Sequence, residues 1–329
     1  MALKDRLGLH IDPLFLIDGS ALVYRAFNVF PDLKRSDGFP TNALFIVLRV
    51  LLKFLREEMP HFAAFFLDGK SPTFRHELYP AYKAQRAAMP EALLAQLPSI
   101  RDAVTLLGLY TEDSQNVEAD DRIASLAVRF RDELPVVIVG GDKDFKQCLH
   151  KQVVLWDLSK KSAKGGNCDK LLTLEAFQAE TGLDPVQWPD YQAIIGDACD
   201  NIPGVPGVGP KTALKLMARF PDLEALATAL TVQPDSLTPV ERRKLNGQSE
   251  VMFRWRELTR LRTDQAGEDI LEHFRIRPLE LPALRVFLET NEFHSFLREL
   301  SNVPAVPAGT SVSASQRNSE TQHSLFNLA

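Results

Sequence analysis

The sequence predicts an α/β fold, on the strength of three apolar runs and the helical patterns between them. The runs are Leu14-Phe-Leu-Ile17, Ala63-Ala-Phe-Phe-Leu67 and Pro135-Val-Val-Ile-Val139. Each is short and continuously apolar, as strands buried on both faces are. Residues 43–56, 91–107 and 120–131 repeat apolar positions at helical spacing and lie between the three runs, so strands and helices alternate and a helix-flanked sheet follows.

Each run ends in turn chemistry that carries acid: Asp18-Gly19 after the first, Asp68-Gly69 after the second, and Gly140-Gly-Asp-Lys-Asp144 after the third. From Leu174 onward β-like runs disappear. Helical stretches at 174–181, 190–195, 211–219, 222–230 and 284–300 are joined by turns that contain Gly and Pro. Residues 302–321 are mostly Ala, Ser, Pro, Val, Thr and Asn, too poor in large apolar side chains to order themselves. The expected organisation is an α/β domain over 1–175, a helical domain over 176–300 and a flexible tail over 301–329.

Composition narrows the class. A chain of 329 residues that is 45% hydrophobic and 25% charged is globular rather than disordered. Its longest apolar stretch, residues 44–55, is interrupted by Arg49 and Lys53 and is too short for a bilayer. No leader pattern opens the chain, and Cys148, Cys168 and Cys199 form no Cys-x-x-Cys pair, so a cytoplasmic protein with free thiols is expected. The net charge of −5 argues against a nucleic-acid partner on average, but averages hide local reversals.

The acids point to chemistry. Ligands of an open α/β sheet sit at the carboxyl ends of its strands, where Asp18, Asp68, Asp142 and Asp144 are delivered. Glu118-Ala-Asp120-Asp121 opens a helical pattern, and Gly196-Asp-Ala-Cys-Asp-Asn201 adds Asp197 and Asp200. Singly, each is explained as a turn former or as a favourable charge at a helix N-terminus. Converged, two such charges ~5 Å apart repel by roughly 3 kcal/mol at an effective dielectric of 20. A cluster of nine therefore requires divalent cations, and an all-oxygen donor set without His or Cys selects Mg²⁺ or Mn²⁺ over zinc. Carboxylates that hold two such ions are the recurring arrangement for phosphodiester hydrolysis.

Three stretches reverse the sign of the chain. Residues 70–90 carry Lys70, Arg75, Lys83 and Arg86 against Glu77, with Phe74, Tyr79 and Tyr82 interleaved. This is either a groove for unpaired bases or a solvated helix with buried aromatics. Gly204-Val-Pro-Gly207-Val-Gly209-Pro-Lys211-Thr212 is a glycine-rich turn that opens a helix and suits a DNA backbone. Pro210 before Lys211 breaks the Walker A pattern, which argues against ATP. The third stretch, Arg242-Arg-Lys244 through Arg262, reads as a solvated face or a duplex contact.

Together these motifs, with Phe74-Arg-His-Glu-Leu-Tyr79 and Tyr82-Lys-Ala-Gln-Arg86, resemble the 5′→3′ exonuclease domain of bacterial DNA polymerase I and the wider flap-endonuclease family. The resemblance covers about residues 14–300. It implies a PIN-like α/β core, a helical arch, and a helix-hairpin-helix element that grips duplex DNA, with K⁺ as a possible companion ion. On the matching positions it implies first-metal ligands Asp18, Asp68 and Asp120, with Glu118 assisting through water. Asp142 and Asp144 match second-metal ligands, and Asp121, Asp197 and Asp200 match outer or alternate ones. It further implies that Lys83 and Arg86 contact the scissile phosphate and that Tyr82 stacks the terminal base. Arg75, Tyr79, Gly204, Gly207, Gly209, Lys211 and Thr212 become DNA contacts.

One departure is Ile46, which stands where relatives usually carry Gly. The implied activity is a metal-dependent, structure-specific 5′ nuclease, free-standing and monomeric, that removes flaps and RNA primers during replication and repair at the nucleoid. The rivals are a catalytically silent junction binder and a PIN-type ribonuclease. The terminal Gln322-His-Ser-Leu325-Phe326 resembles a bacterial sliding-clamp-binding peptide on a tether.

Overall fold

The computed structural model describes residues 2–29, 32–69, 72–158 and 170–301. In chain order its elements are α1 (Leu3–Arg6), β1 (Leu14–Asp18), α2 (Gly19–Val29), α3 (Asn42–Glu58), β2 (Phe62–Leu67), α4 (Phe74–Leu78), α5 (Glu91–Leu94), α6 (Leu97–Leu106), β3 (Tyr110–Asp113) and α7 (Ala119–Phe130). There follow β4 (Val136–Val139), β5 (Val153–Asp157), β6 (Lys170–Leu172), α8 (Leu174–Thr181), α9 (Trp188–Ile195), α10 (Pro210–Arg219), α11 (Leu223–Val232), α12 (Pro239–Leu245), α13 (Ser249–Thr259), α14 (Leu281–Thr290) and α15 (His294–Ser301). The chain divides into two compact units: residues 1–67, 89–113 and 268–329, and residues 68–88 and 114–267.

The first unit is built on three parallel strands, with β2 between β1 and β3. Every residue of β1 is buried, as its unbroken apolar run requires. Helix α3 buries Ala43, Leu44, Val47, Leu48, Leu51, Phe54 and Leu55, one face at helical spacing. Its first backbone N–H groups need acceptors. Fully buried Gln96 provides one, accepting from Ala43 (3.0 Å) and Leu44 (3.2 Å) while donating to Asn42 (2.9 Å). Ile46 sits half-buried in this helix.

In the second unit β4 pairs with β5 in parallel, and β5 with β6 antiparallel. Helix α7 buries Ile123, Ala124, Leu126, Ala127 and Phe130, and α13 packs on α9. One buried cation ties three segments together. Arg75 in α4, 1% exposed, donates twice to Asp121 at 2.7 Å, once to Glu118 at 3.2 Å, and to the carbonyls of Leu258 (2.8 Å) and Arg260 (3.1 Å). A second tie is steric. Gly196 and Gly204 both have positive φ, and a Cβ on Gly204 would lie 2.4 Å from the Gly196 nitrogen. The Gly204 turn is thereby held against the end of α9, with Val205 N–H on the Ile194 carbonyl at 2.7 Å.

The three expected strands form as β1, β2 and β4, but β3, β5 and β6 were not anticipated. The Val153-Val-Leu-Trp run was legible as a strand; β3 and β6 are short and take their form from neighbours. Beyond Leu174 the described residues contain helices and no further strand. Two long helices are broken. Residues 91–107 split because Pro98 suits only a first helical turn, and residues 284–300 split at a turn where Glu292 has positive φ. Within residues 74–90, where the arch was expected, one short helix forms, α4, ended by Pro80 after Tyr79. Cys148 and Cys199 are free thiols, while Cys168 lies outside the described residues.

Removing one partner of a buried ion pair strands the other. Arg75→Ala is therefore expected to lower the unfolding free energy by about 3–5 kcal/mol, read from urea denaturation, whereas loss of a solvated arginine would leave it within about 0.5 kcal/mol.

Candidate active site

The acids of the second unit are placed by strand and helix ends. Asp68 accepts from the first N–H of α7, at Ala119 (2.9 Å), which fixes it beside Glu118 and Asp120. Asp142 accepts the Asp144 N–H at 2.8 Å in the turn after β4. Asp197 and Asp200 flank a tight turn after α9, closed by paired backbone hydrogen bonds between Asp197 and Ile202 (2.7 and 2.8 Å). Asp144, Asp197 and Asp200 are buried, and one oxygen from each lies within 4.8 Å of the others.

Cations of the unit offset only part of this charge. Lys83 donates to Glu118 at 2.6 Å, Arg86 to Asp200 at 2.6 Å, and Lys143 pairs with Asp197 at 2.7 Å. Burial opposes ionisation of Glu118, but Lys83 and Arg75 outweigh it and hold the carboxyl below its ordinary range. The reverse holds for three other acids, where burial and neighbouring negative charge outweigh the cations. Burial, and then the Asp142 charge, push Asp144 up to about 8. Burial and Glu118 raise Asp120 well above its ordinary value, and Asp142 is raised by burial and by Asp200. These acids have more negative charge around them than the protein neutralises, and their donor set is oxygen alone. Such a set fits a hard divalent ion.

The placement of several expected residues differs from the sequence reading. Arg75 was expected on DNA; its guanidinium is buried and committed to Asp121, Glu118 and two carbonyls, so it has no reach to a phosphate. Asp121 was expected as an outer ligand. Its two oxygens take Arg75, the Glu118 N–H (3.2 Å) and the Arg262 N–H (2.8 Å), which uses its acceptor capacity. Tyr82 was expected to stack a base, yet it is 3% exposed. Its hydroxyl lies 2.9 Å from Glu118 and 3.1 Å from Asp200, bridging two acids.

Tyr79 is half-buried, edge-on to Trp255 with centroids 5.0 Å apart. Gly204, Gly207 and Gly209 form the turn before α10, where Gly209 accepts from Thr212 at 3.0 Å and Lys211 is exposed. Asp18 ends β1 in the first unit and accepts the Ala21 N–H at 2.9 Å. Gln322, Leu325 and Phe326 lie outside the described residues, as does Lys70.

Two residues were missed. Gln192, fully buried in α9, donates to Asp144 at 2.5 Å; a glutamine on the buried face of a helix was its signal. Lys143, between two recognised acids, was overlooked as the counter-ion of Asp197.

The family model for the 5′-3′ exonuclease N-terminal resolvase-like domain matches residues 13–182, and that for the 5′-3′ exonuclease C-terminal SAM fold matches residues 183–281. The chain belongs to the 5′-3′ exonuclease family. It is 32% identical to the 5′-3′ exonuclease of Aquifex aeolicus over 88% of this chain and 96% of that one. It is also 40% identical to the thermostable DNA polymerase I of Thermus filiformis, over 87% of this chain and 33% of the polymerase. It thus spans about a third of the polymerases it matches.

Among solved structures, T5 5′-exonuclease with bound divalent metal ions (zinc) has a TM-score of 0.60 at 22% identity, over 80% of this chain and 96% of that one. The catalytic core of Rad2 in complex with DNA substrate has a TM-score of 0.60 at 16% identity, covering 85% and 87%. Both share the fold.

A group whose folded-state pKa is raised binds more protons folded than unfolded between the two pKa values, so stability falls as pH rises through that window. For Asp144 the window runs from about 4 to about 8. In EDTA the melting temperature is expected to fall across this range. Asp144→Asn should flatten the fall and raise the melting temperature at about pH 8, and Mg²⁺ or Mn²⁺ should stabilise the wild type more than the variant.

Proposed function

We propose that this chain is a divalent-metal-dependent, structure-specific 5′ nuclease that hydrolyses phosphodiesters in flapped, nicked or RNA-primed DNA. The observation that carries the reading is the excess of buried carboxylate in the second unit, where Asp144 is pushed up to about 8 by burial and by its neighbour Asp142. A surplus of that kind is costly unless a cation completes it.

Asp68, Asp120, Asp142, Asp144, Asp197 and Asp200 would hold the ions, Mg²⁺ or Mn²⁺. When bound, such ions neutralise a phosphodiester and lower the pKa of water that attacks it. The protein's own share is positioning. Lys83 and Arg86, now paired to Glu118 and Asp200, are long cations able to turn onto a phosphate as the acids acquire metal. Tyr82 fixes the spacing of Glu118 and Asp200 through its hydroxyl rather than by stacking, while Arg75 and Asp121 lock the start of α7. Tyr79, the half-buried aromatic of this segment, is the better candidate for a base contact.

The Gly204–Thr212 turn would take the duplex backbone. K⁺ there belongs to the same reading, as does the division into a catalytic region to residue 175, a helical DNA-binding region to residue 300 and a clamp-binding tail carrying Gln322, Leu325 and Phe326. Activity as a monomer at the nucleoid completes it.

The test uses a 5′-labelled flap duplex. Wild type is expected to cleave with Mg²⁺ and not with EDTA, and Asp68→Ala and Asp142→Ala to lose at least about 100-fold in rate. Absence of cleavage with either ion, or unchanged rates in both variants, would overturn the reading. Truncation after Leu300 is expected to preserve basal cleavage and to remove any stimulation by a sliding clamp.

A further inference from the structure

Gln192 touches the acid cluster and has a need of its own that the protein does not meet. It lies in α9 with 0% exposure, and its Nε2 donates to Oδ1 of Asp144 at 2.5 Å, across 48 residues of chain. Its backbone carbonyl accepts the Gly196 N–H at 2.7 Å, which closes α9 just before Asp197. One residue thus ties Asp144 to the turn that carries Asp197 and Asp200. It helps to set the spacing of all three acids.

An ionised carboxylate only accepts hydrogen bonds, so the amide must turn its NH₂ group toward Asp144. That commits Oε1 to the other side, where it is buried and meets no donor among the described residues. Buried polar atoms are nearly always matched, by protein or by ordered water. The donor left to Oε1 is a water. On Asp144 itself, Gln192 is the one side-chain donor among the described residues. It takes Oδ1 and leaves Oδ2 the freer oxygen for a cation.

Both ends of the amide bear on which cation fits. Ca²⁺ surrounds itself with many oxygens in a flexible shell and readily uses a carboxylate through both of its oxygens, whereas Mg²⁺ demands an octahedral shell and keeps several waters. A hydrogen bond at Oδ1 disfavours two-oxygen use of Asp144. An empty acceptor at Oε1 rewards a cation that retains its water.

We propose that Gln192 is a positioning residue that favours Mg²⁺ over Ca²⁺ at Asp144, Asp197 and Asp200, by holding Asp144 to one free oxygen and by accepting a hydrogen bond from a water of the ion's shell. This rests on the nuclease reading and adds a determinant of metal choice to it. Gln192 acts through Asp144 and through water, without reaching the phosphodiester.

The experiment titrates the full chain with Mn²⁺, reads the free ion from its electron paramagnetic resonance signal, and then adds Mg²⁺ or Ca²⁺ as competitor. The binding class followed is the one lost in Asp144→Asn, and flap cleavage by wild type with Mg²⁺ is measured alongside. Partners that orient metal ligands are typically worth about 10–100-fold in metal affinity. Gln192→Met keeps the length of the side chain and removes both polar ends. It is expected to weaken Mg²⁺ about 10-fold and Ca²⁺ by less than about 3-fold, so the ratio of the two affinities falls at least about 3-fold. A merely structural loosening would weaken both ions alike and leave the ratio where it was. Gln192→Leu is a second variant with the same expectation, and circular dichroism reports the folding of both. An unchanged or increased ratio in the folded variants would overturn the inference, while wild-type cleavage keeps the nuclease reading intact. Wild type that neither takes up Mn²⁺ nor cleaves the flap would overturn both.

Discussion

Mutual repulsion among buried carboxylates is the constraint that organises the second unit. Burial, and then the charges of Asp142, Asp200 and Asp197, hold Asp144 up to about 8, a cost that a stable protein accepts only where something offsets it. Three protein cations do so in part: Lys83 on Glu118, Arg86 on Asp200 and Lys143 on Asp197. Two of these come from the segment after α4. These cations hold the acids of this unit together.

Arg75 solves a different problem. A charge with 1% exposure needs every donor matched, and Asp121, Glu118 and two carbonyls match it. This pairing takes up both oxygens of Asp121, and the start of α7, which bears Glu118 and Asp120, is fixed to α4 and to the end of α13. The glycine contact between Gly196 and Gly204 does for the turn what Arg75 does for α7: it couples the acids at 197–200 to the hairpin through backbone proximity, with no side chain between.

The aromatic and basic residues of the 70–90 stretch show where sequence reasoning was weakest. Their composition signals a nucleic-acid groove, but composition reports charge and not burial. Arg75 and Tyr82 turned inward because acids 46 and 36 residues further along the chain come to lie beside them. Lys83, Arg86 and Tyr79 keep part of their surface. Gln192 and Lys143 escaped notice for the complementary reason, being ordinary residues made important by a neighbour.

What the sequence alone determined is the alternating α/β plan, the strands that became β1, β2 and β4, the helical second half and the list of acids. All of these follow from local patterns: apolar runs, helical periodicity, and turn residues at strand ends. The short strands β3 and β6, and the sorting of acids into a close trio, a capping aspartate and a buried counter-ion were decided by tertiary structure. Those outcomes depend on which groups meet across long stretches of chain and on how much water is left between them, and neither quantity is written in any local window of residues.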